Sequence, residues 1–317
     1  MSAIAEIQIS AIKEARQRIS GIAYRTPLLP DRDRADLVLK LENLQPIGSF
    51  KLRGAANAMM SAPRQSLAGG VVTASAGNMA QGVAWCARSL GVPCRVVVPE
   101  GAPANKIAAI QRLGGEVITA PFDAWWQAML DHGYPGVDGV FIHPFADASV
   151  MAGNGTIGLE ILEDDPDVDA VIVPWGGGGL ACGIASAVRA INPSIKVFAV
   201  EVEFAAPLAA AFARGAAGDI EPVRSFVDGI GGRSVAPEMW QLARELLAGV
   251  LVVTAADVAA AIKGLAERNR VVAEGAGGAG VAAALKGIPG VRRAAAIVSG
   301  GNIDPEKLAV ILRGGVP

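Results

Sequence analysis

Residues 48–54, with the sequence GSFKLRG, contain a lysine whose position could support covalent chemistry. They follow an alternating run at residues 37–42 that predicts a half-buried strand, and a helix is expected to start near Ser49 or Phe50. Lys51 would then lie in the first helical turn, where the helix macrodipole disfavours a cation. Lys51 is therefore either a solvated surface lysine or an amine with a lowered pKa, which a positive environment would make nucleophilic.

A second candidate for chemistry is the glycine run in VPWGGGGLACG. A predicted strand ends at Pro174, glycines occupy positions 176–179, and a helix is predicted to begin near Leu180. Backbone N–H groups in such a loop, together with the start of a helix, bind anions such as phosphate. The run lacks the Gly-Lys-Ser/Thr of a Walker loop and the spacing of the dinucleotide fingerprint. The alternative is a tightly packed turn without a ligand.

Three further loops place polar groups between a predicted strand and a helix. TASAGNMAQG, at residues 73–82, offers backbone N–H groups for a carboxylate and the Asn78 amide for a polar ring substituent. VVAEGAGGAG places Glu274 before a helix, and IVSGGNID ends a predicted buried strand at Ser299. Each loop also has a plainer interpretation, as a helix cap, a carboxylate at a helix N-terminus or a polar strand end.

Together, the lysine, the glycine loop, the asparagine and the serine match the chemical needs of pyridoxal 5′-phosphate. The cofactor's aldehyde forms a Schiff base with a lysine, and its phosphate needs an anion site. Its ring nitrogen and phenolic oxygen need hydrogen-bond partners. The residues therefore predict a pyridoxal-phosphate site, assembled at the carboxyl ends of strands where α/β sheets bind ligands.

The elements that must position these residues alternate between strand and helix along almost the whole chain. Short β-branched runs such as GVVTAS, CRVVVPE and DAVIVPW precede helical runs, a pattern typical of a parallel sheet covered on both faces. The runs fall into two sets, one near residues 70–147 and one from 148 to the end. The predicted fold class is α/β, with two domains that are each an open, mostly parallel sheet. An amphipathic helix is also predicted across residues 1–20.

Composition limits the class of function. The 317 residues carry a formal net charge of −2 without a Lys/Arg run, which argues against nucleic-acid binding. No apolar run is long enough to cross a bilayer, and the N-terminus does not resemble a signal peptide, so no membrane partner is predicted. Three cysteines without a C-x-x-C motif predict buried thiols in a cytoplasmic protein, and two histidines make a zinc site unexpected.

The order of the motifs resembles the fold-type II pyridoxal-phosphate enzymes, specifically the serine/threonine dehydratase and serine racemase family. The resemblance covers nearly the whole chain and is carried by KLENLQPIGSFKLRGA, SAGNMAQGVA, VPEGAPANKIAAIQRLGGEV, IHPFADASVMAGNGTIGLEI, VPWGGGGLACGIA, VAEGAGG and VSGGN. It implies a tryptophan synthase β-like fold with a large cofactor-binding domain at residues 1–66 and 148–317. Residues 67–147 would form a small mobile domain that closes over the substrate, and a homodimer is expected.

The resemblance also implies roles for individual residues. Lys51 would hold the cofactor and remove the substrate Cα proton, Phe50 would pack against the ring, and Asn78 would bond the phenolic oxygen. Ser299 would face the pyridine nitrogen; a hydroxyl there makes the ring a shallower electron sink than a carboxylate would, which suits β-elimination. The phosphate would be bound by Gly176, Gly177, Gly178, Gly179 and the Leu180 amide, the ring would be lined by Gly229 and Glu274, and the substrate would contact Ser75, Ala76, Gly77, Asn78, Met79 and Asn154.

The chain departs from the family pattern at several positions. Met79 replaces a usual histidine, which either admits a more apolar β-substituent or only fills space. Asn154 replaces a usual glutamine. Ala76 stands where racemases of the family carry the serine that reprotonates Cα, so racemisation is expected to be weak. Glu201 is retained from a family cation site, but Pro207 replaces the second acid, and no metal is predicted.

Three functions remain open at this point. The first is a pyridoxal-phosphate-dependent dehydratase, or ammonia-lyase, that converts L-threonine or L-serine to a 2-keto acid and ammonia by α,β-elimination. Met79, Trp125 and Trp126 leave open a bulkier or specialised substrate, such as a β-aryl serine. The second is an amino-acid racemase. The third is a non-catalytic cofactor carrier or amino-acid-binding module, which would not need Lys51 as a base.

Overall fold

A computed structural model of the protein describes residues 4–317, which form two β-sheets covered by α-helices. The larger sheet has six strands in the order β1-β2-β10-β7-β8-β9, all parallel except for the antiparallel pair β1 and β2. Its strands are β1 (Leu28–Pro30), β2 (Leu37–Leu41), β7 (Ala170–Pro174), β8 (Lys196–Val202), β9 (Gly249–Val253) and β10 (Ala294–Val298).

The smaller sheet is entirely parallel and has four strands in the order β5-β4-β3-β6. Its strands are β3 (Val71–Ala74), β4 (Cys94–Pro99), β5 (Glu116–Ala120) and β6 (Val140–Phe141). The helices of the described residues are α1 (Ile9–Arg18), α2 (Lys51–Ser61), α3 (Asn78–Leu90), α4 (Ala104–Arg112), α5 (Phe122–Leu130), α6 (Ala148–Asp164), α7 (Gly179–Ile191), α8 (Pro207–Arg214), α9 (Pro237–Leu246), α10 (Ala255–Gly264), α11 (Gly275–Leu285) and α12 (Pro305–Leu312).

Both faces of the larger sheet are buried, as the short β-branched runs predict. Strand β2 is buried along its whole length, although its alternating sequence predicted a half-buried strand. Along β2, Val38 belongs to the core shared with α1, α6, α7 and α9, while Leu37 and Leu39 belong to the core shared with α10 and α11. This alternation follows from the two-residue period of a strand, which directs successive side chains to opposite faces. The mostly parallel α/β class with helices on both faces is therefore confirmed.

Glycines allow the helices next to the site to pack closely. A Cβ atom at Gly153 of α6 would overlap the Arg53 carbonyl oxygen of α2, and one at Gly183 of α7 would overlap the Met151 carbonyl oxygen of α6. Larger side chains would force these helices apart, because such contacts leave no room for a β-carbon. The small residues of the helices thus bring α2 and α7 close to the same central helix.

The two sheets match the two sets of runs in the sequence, but α2 belongs to neither set alone. Although the sequence places α2 in the large domain, its buried residues Leu52 and Ala55 share a hydrophobic core with α3 beside the smaller sheet. The domain division at residues 66 and 148, and the mobility of residues 67–147, therefore stay predictions.

The N-terminal helix is shorter than predicted. Residues 1–3 lie outside the described residues, and α1 begins only at Ile9, after Gln8 with extended backbone angles. Cys86, Cys94 and Cys182 are buried and unpaired, as expected, and burial raises the pKa of each thiol to about 12. Within residues 4–317, no helix combines the length and apolar character needed to span a membrane.

Candidate active site

A cavity of about 710 Å³ lies at the carboxyl ends of strands from both sheets. Its lining includes Ala74 at the end of β3, Pro99 of β4, Pro174 of β7 and Val202 of β8. All the site residues predicted from the sequence border this cavity except Asn154: Phe50, Lys51, Ser75, Ala76, Gly77, Asn78, Met79, Gly176, Gly177, Gly178, Gly179, Leu180, Gly229, Glu274 and Ser299. Strand ends of this kind are the usual ligand sites of parallel sheets.

The segment before Lys51 is attached to the end of β10. The Phe50 N–H donates to the Ser299 carbonyl oxygen over 3.0 Å, and Ser49 forms an isolated β-bridge with Gly300. Helix α2 then begins at Lys51, as the sequence predicts, so the side chain projects from the first helical turn. Its Nζ donates a hydrogen bond of 2.6 Å to the Pro144 carbonyl oxygen.

Burial lowers the pKa of Lys51 to about 8, although the Glu274 carboxylate acts in the opposite direction. A buried ammonium loses hydration that the protein replaces only in part, which favours the neutral amine. The direction agrees with the expectation from the sequence, but the cause is desolvation rather than the helix end. At pH 8 about half of the Lys51 amines are neutral and able to act as a nucleophile or a base.

A buried ion network holds the helix that carries Lys51. Arg53 pairs with Glu42 over 2.8 Å and with Glu160 of α6 over 2.6 Å, and Lys40 of β2 pairs with Glu160 over 2.6 Å. All four side chains are almost fully buried, and removal of one partner would leave an uncompensated charge. The network therefore fixes α2 relative to β2 and α6.

The glycine loop needs glycine because two aromatic rings pack behind it. A Cβ atom at Gly177 would overlap the Phe145 ring, and one at Gly178 would overlap the Trp175 ring. Gly178 also has φ +92°, in the left-handed region that side chains with a β-carbon avoid. The loop thus forms a compact cradle at the N-terminus of α7, where backbone N–H groups and the helix dipole favour a phosphate.

Asn78 and Glu274 are joined by a hydrogen bond at the cavity wall. The Asn78 Nδ2 donates to the Glu274 Oε1 over 2.7 Å, and the Asn302 Nδ2 donates to the Asn78 Oδ1 over 2.8 Å. These contacts orient the amide, whose second N–H remains for another acceptor. Burial raises the pKa of Glu274 to about 7, while the bond from Asn78 acts to lower it. The sequence interpretation did not include Asn302, which lies in the quoted VSGGN segment.

The N-terminus of α3 and the end of β10 border the same cavity. Gly77 is the N-cap of α3, and its N–H donates to the Ser75 Oγ over 3.2 Å. A helix start with a small-residue loop suits a substrate carboxylate. Ser299 directly follows β10 and brings a neutral hydroxyl-bearing side chain to the cavity, where a carboxylate would add negative charge.

Two expected substrate contacts are less accessible from the cavity than the sequence suggests: Asn154 does not border it, and the Met79 side chain is buried. Asn154 lies behind the glycine loop, almost fully buried, and its Nδ2 donates to the Gly179 carbonyl oxygen over 3.2 Å. It supports the loop because α6 turns it away from the cavity. Met79 borders the cavity, but its side chain is buried in the core shared by α2 and α3. This favours the space-filling interpretation of Met79.

Glu201 is used as a helix cap. Its two carboxylate oxygens accept the N–H groups of Leu208 and Ala209 over 3.0 and 2.8 Å, at the start of α8. Burial raises the pKa of Glu201 to about 7, against these two hydrogen bonds. Among residues 4–317, no group of three or more His, Cys, Asp and Glu side chains is placed to hold a metal ion.

The described residues fit pyridoxal phosphate. The glycine cradle excludes β-carbons and lies at the N-terminus of α7, the partly buried Lys51 has a lowered pKa, and Asn78 keeps a free amide hydrogen. Besides Asn302, the sequence interpretation missed the rings of Phe145 and Trp175 behind the cradle. Their positions in the quoted IHPFADAS and VPWGGGG segments were the only available signals.

Comparison with known proteins agrees with this geometry. A sequence profile described as pyridoxal-phosphate dependent enzyme matches residues 19–300. The L-threonine ammonia-lyase of Thermotoga maritima is 40% identical over 318 residues, which cover 98% of this chain and 79% of that protein. The catabolic L-threonine dehydratase of Escherichia coli K12 is 38% identical and covers 96% of both chains.

Solved structures show the same fold. Maize serine racemase superposes with a TM-score of 0.89 at 33% identity, over 96% of both chains. The processed form of threonine deaminase isoform 2 from Solanum lycopersicum superposes with a TM-score of 0.86 at 31% identity, over 99% of this chain and 92% of that one. The likeness therefore extends over both sheets.

Proposed function

This chain belongs to the pyridoxal-phosphate dependent enzymes, and from that premise we propose that it is a dehydratase, or ammonia-lyase, of a β-hydroxy amino acid. L-Threonine is the first candidate substrate, because the curated relatives are named for it. The observation that carries the proposal is the partly buried Lys51, with its pKa lowered to about 8, in the same cavity as the glycine cradle.

Different residues of the chain would bind different parts of the cofactor and of the substrate. The N–H groups of residues 176–179 would hold the phosphate, the second amide hydrogen of Asn78 would be available to the phenolic oxygen, and Ser299 would supply a hydroxyl partner for the pyridine nitrogen. When bound, pyridoxal phosphate withdraws electron density from the substrate Cα and makes its proton removable. The N-terminus of α3 binds the substrate carboxylate, which orients the Cα–H bond.

Lys51 performs the proton transfer. Its neutral Nζ takes the Cα proton and then gives this proton to the departing β-hydroxyl, which leaves as water, so Lys51 is neutral again at the end. The released unsaturated amine then reacts with water to give the 2-keto acid and ammonia, so atoms balance over the whole reaction. The Pro144 carbonyl oxygen, 2.6 Å from Nζ, keeps the amine oriented within the cavity.

The alternative is racemisation, which the likeness to maize serine racemase makes the second candidate. Racemisation needs an acid on the face of Cα opposite to Lys51. Ala76 offers only a methyl group at the expected position, and a methyl group cannot donate a proton. We therefore infer that elimination dominates.

An activity panel tests the proposal. Purified protein loaded with pyridoxal phosphate is incubated with L-threonine, L-serine or a β-aryl serine, while keto acid and the enantiomers of the residual substrate are measured. Keto acid and ammonia in equal amounts support the dehydratase. Faster formation of the D-enantiomer would replace it with the racemase, and binding without turnover of either kind would favour a carrier.

Borohydride reduction of the loaded protein, followed by peptide mapping, tests the role of Lys51. The pyridoxyl group should be found on Lys51. Lys106, which also borders the cavity, is the internal comparison, and modification of Lys106 instead would contradict the assignment.

We also propose that the protein is a cytoplasmic homodimer. The resemblance to the family supports the dimer, and the three buried, unpaired cysteines suit a reducing compartment. Light scattering after size-exclusion chromatography measures the mass of the assembly, and cell fractionation measures the location.

A further inference from the structure

Helix α5 lines the substrate cavity with large apolar side chains. Phe122, Trp125, Trp126 and Met129 all border the cavity that contains Lys51, and we call these four side chains the aromatic wall. The Phe122 and Trp125 ring centroids lie 5.5 Å apart, and those of Trp125 and Trp126 lie 6.3 Å apart. Both pairs are tilted, so the rings form one continuous apolar surface.

The aromatic wall is incompletely covered by the rest of the protein. Phe122 is 58% exposed and Trp126 is 40% exposed, which is costly for large rings because their apolar surface remains in water. Exposed apolar surface that continues into a ligand cavity indicates a ligand contact. The continuity with Lys51 and Asn78 identifies the occupant as the substrate, at the end away from its carboxylate.

The apolar side chains of the aromatic wall, rather than the cavity volume, favour a substrate larger than threonine. The cavity of about 710 Å³ must hold the cofactor as well as the substrate. Threonine carries only a methyl group on Cβ, which cannot cover several aromatic rings. An aryl group on Cβ would add a flat apolar surface that stacks against them.

Resting on the proposed dehydratase function, we propose that the preferred substrates are β-hydroxy amino acids with an aromatic β-substituent, which packs on the aromatic wall. The reaction is the same elimination. With β-phenylserine, the Cα proton goes to Lys51, the β-hydroxyl leaves as water, and hydrolysis gives phenylpyruvate and ammonia. No oxidant or reductant is needed.

Kinetics of the loaded enzyme with L-threo-β-phenylserine and L-threonine test the proposal. We expect a higher kcat/KM for phenylserine. Trp126→Ala should lower this value about tenfold or more, which corresponds to about 1.4 kcal/mol, and change the threonine value less than about threefold. Leu130→Ala is the matched control, because Leu130 lies on the same helix, is 45% exposed and does not border the cavity.

Two kinetic outcomes would overturn the inference while the dehydratase function stands. One is turnover of threonine with a lower kcat/KM for phenylserine. The other is an equal loss for both substrates in Trp126→Ala.

A binding measurement keeps the inference testable if neither compound is turned over, an outcome that would refute the proposed function alone. L-Phenylalanine and L-alanine lack the leaving group, and their binding to the loaded enzyme is followed by the change in cofactor absorbance. L-Phenylalanine should bind about tenfold more tightly than L-alanine, and Trp126→Ala should remove the difference. Equal affinity in the unaltered protein would overturn the aromatic wall as a recognition surface.

Discussion

Replacement of Gly178 by alanine tests whether the glycine cradle has the role that its geometry suggests. Gly178 has φ +92°, and a Cβ atom would overlap the Trp175 ring. Gly91, the C-cap of α3, also has a positive φ of +68° but no atom within 4 Å of a Cβ position. Gly91→Ala is therefore a matched control that carries the backbone penalty without the steric overlap.

The free-energy cost of Gly178→Ala has two parts, the left-handed backbone conformation and the steric overlap with the Trp175 ring. A left-handed conformation costs an alanine about 1–2 kcal/mol, which applies to both variants. Overpacking against a buried ring adds about 1–3 kcal/mol at position 178 only, because Trp175 is almost fully buried and has no space to move into. The total for Gly178→Ala is about 2–5 kcal/mol, a large part of a typical free energy of unfolding of about 5–15 kcal/mol.

Two measurements capture this cost. If the loop of the cofactor-free protein relaxes, the penalty appears in the Kd for pyridoxal phosphate, which should rise about 30-fold or more. If the loop does not relax, the penalty appears in the free energy of unfolding measured with urea. Cofactor affinity and stability both equal to those of Gly91→Ala would refute the steric reasoning and the phosphate assignment of the loop.

Three further changes test other parts of the site. The rate of covalent cofactor attachment to the cofactor-free protein should rise about tenfold per pH unit and level off near pH 8, because only the neutral Lys51 amine reacts. Glu274→Gln should move the pH at which this rate becomes constant to a lower value, because the Glu274 carboxylate raises the pKa of Lys51. Stopped-flow absorbance measures the rate in the unaltered protein and in the variant. A rate that does not depend on pH would contradict Lys51 as the reacting amine. Asp228→Asn removes the 3.0 Å pair with Lys106 at the cavity and should raise KM up to about fivefold with little change in kcat, the range expected for a partly exposed pair worth about 0.2–1 kcal/mol. Glu116→Gln, which breaks the exposed pair between Glu116 and Arg95 away from the cavity, is the control in the same steady-state assay. An equal rise in KM in both variants would contradict a role of the Lys106–Asp228 pair in substrate binding. Ala76→Ser should add racemisation while some elimination remains, as chiral chromatography of residual substrate would show; no D-enantiomer in the variant would mean that position 76 does not reach Cα.

The sequence alone determined the fold class and predicted most of the site residues that border the cavity. Continuous apolar strands alternating with helices specify parallel sheets, because both faces of such strands must be buried. The start of α2 at Lys51 and the strand–glycine–helix order before α7 are local patterns, set by backbone preferences within a few residues. The motif order then sufficed to identify the family.

Tertiary structure decided what each side chain contacts. The lowered pKa of Lys51 comes mainly from burial between distant segments, and no local pattern around Lys51 reports that burial. Asn154 faces the back of the glycine loop, and Met79 fills a core, because the packing of α6 and α3 sets the direction of each side chain.

The aromatic residues show most clearly that side-chain contacts could not be predicted from the sequence. Phe145 and Gly177 are separated along the chain, yet their contact explains why the loop requires glycine. From the sequence, Trp125 and Trp126 only left a bulkier substrate open, because an apolar helix face usually points into a core. Their place beside the substrate cavity follows from how the smaller sheet packs against the larger one, which depends on contacts between residues far apart in sequence.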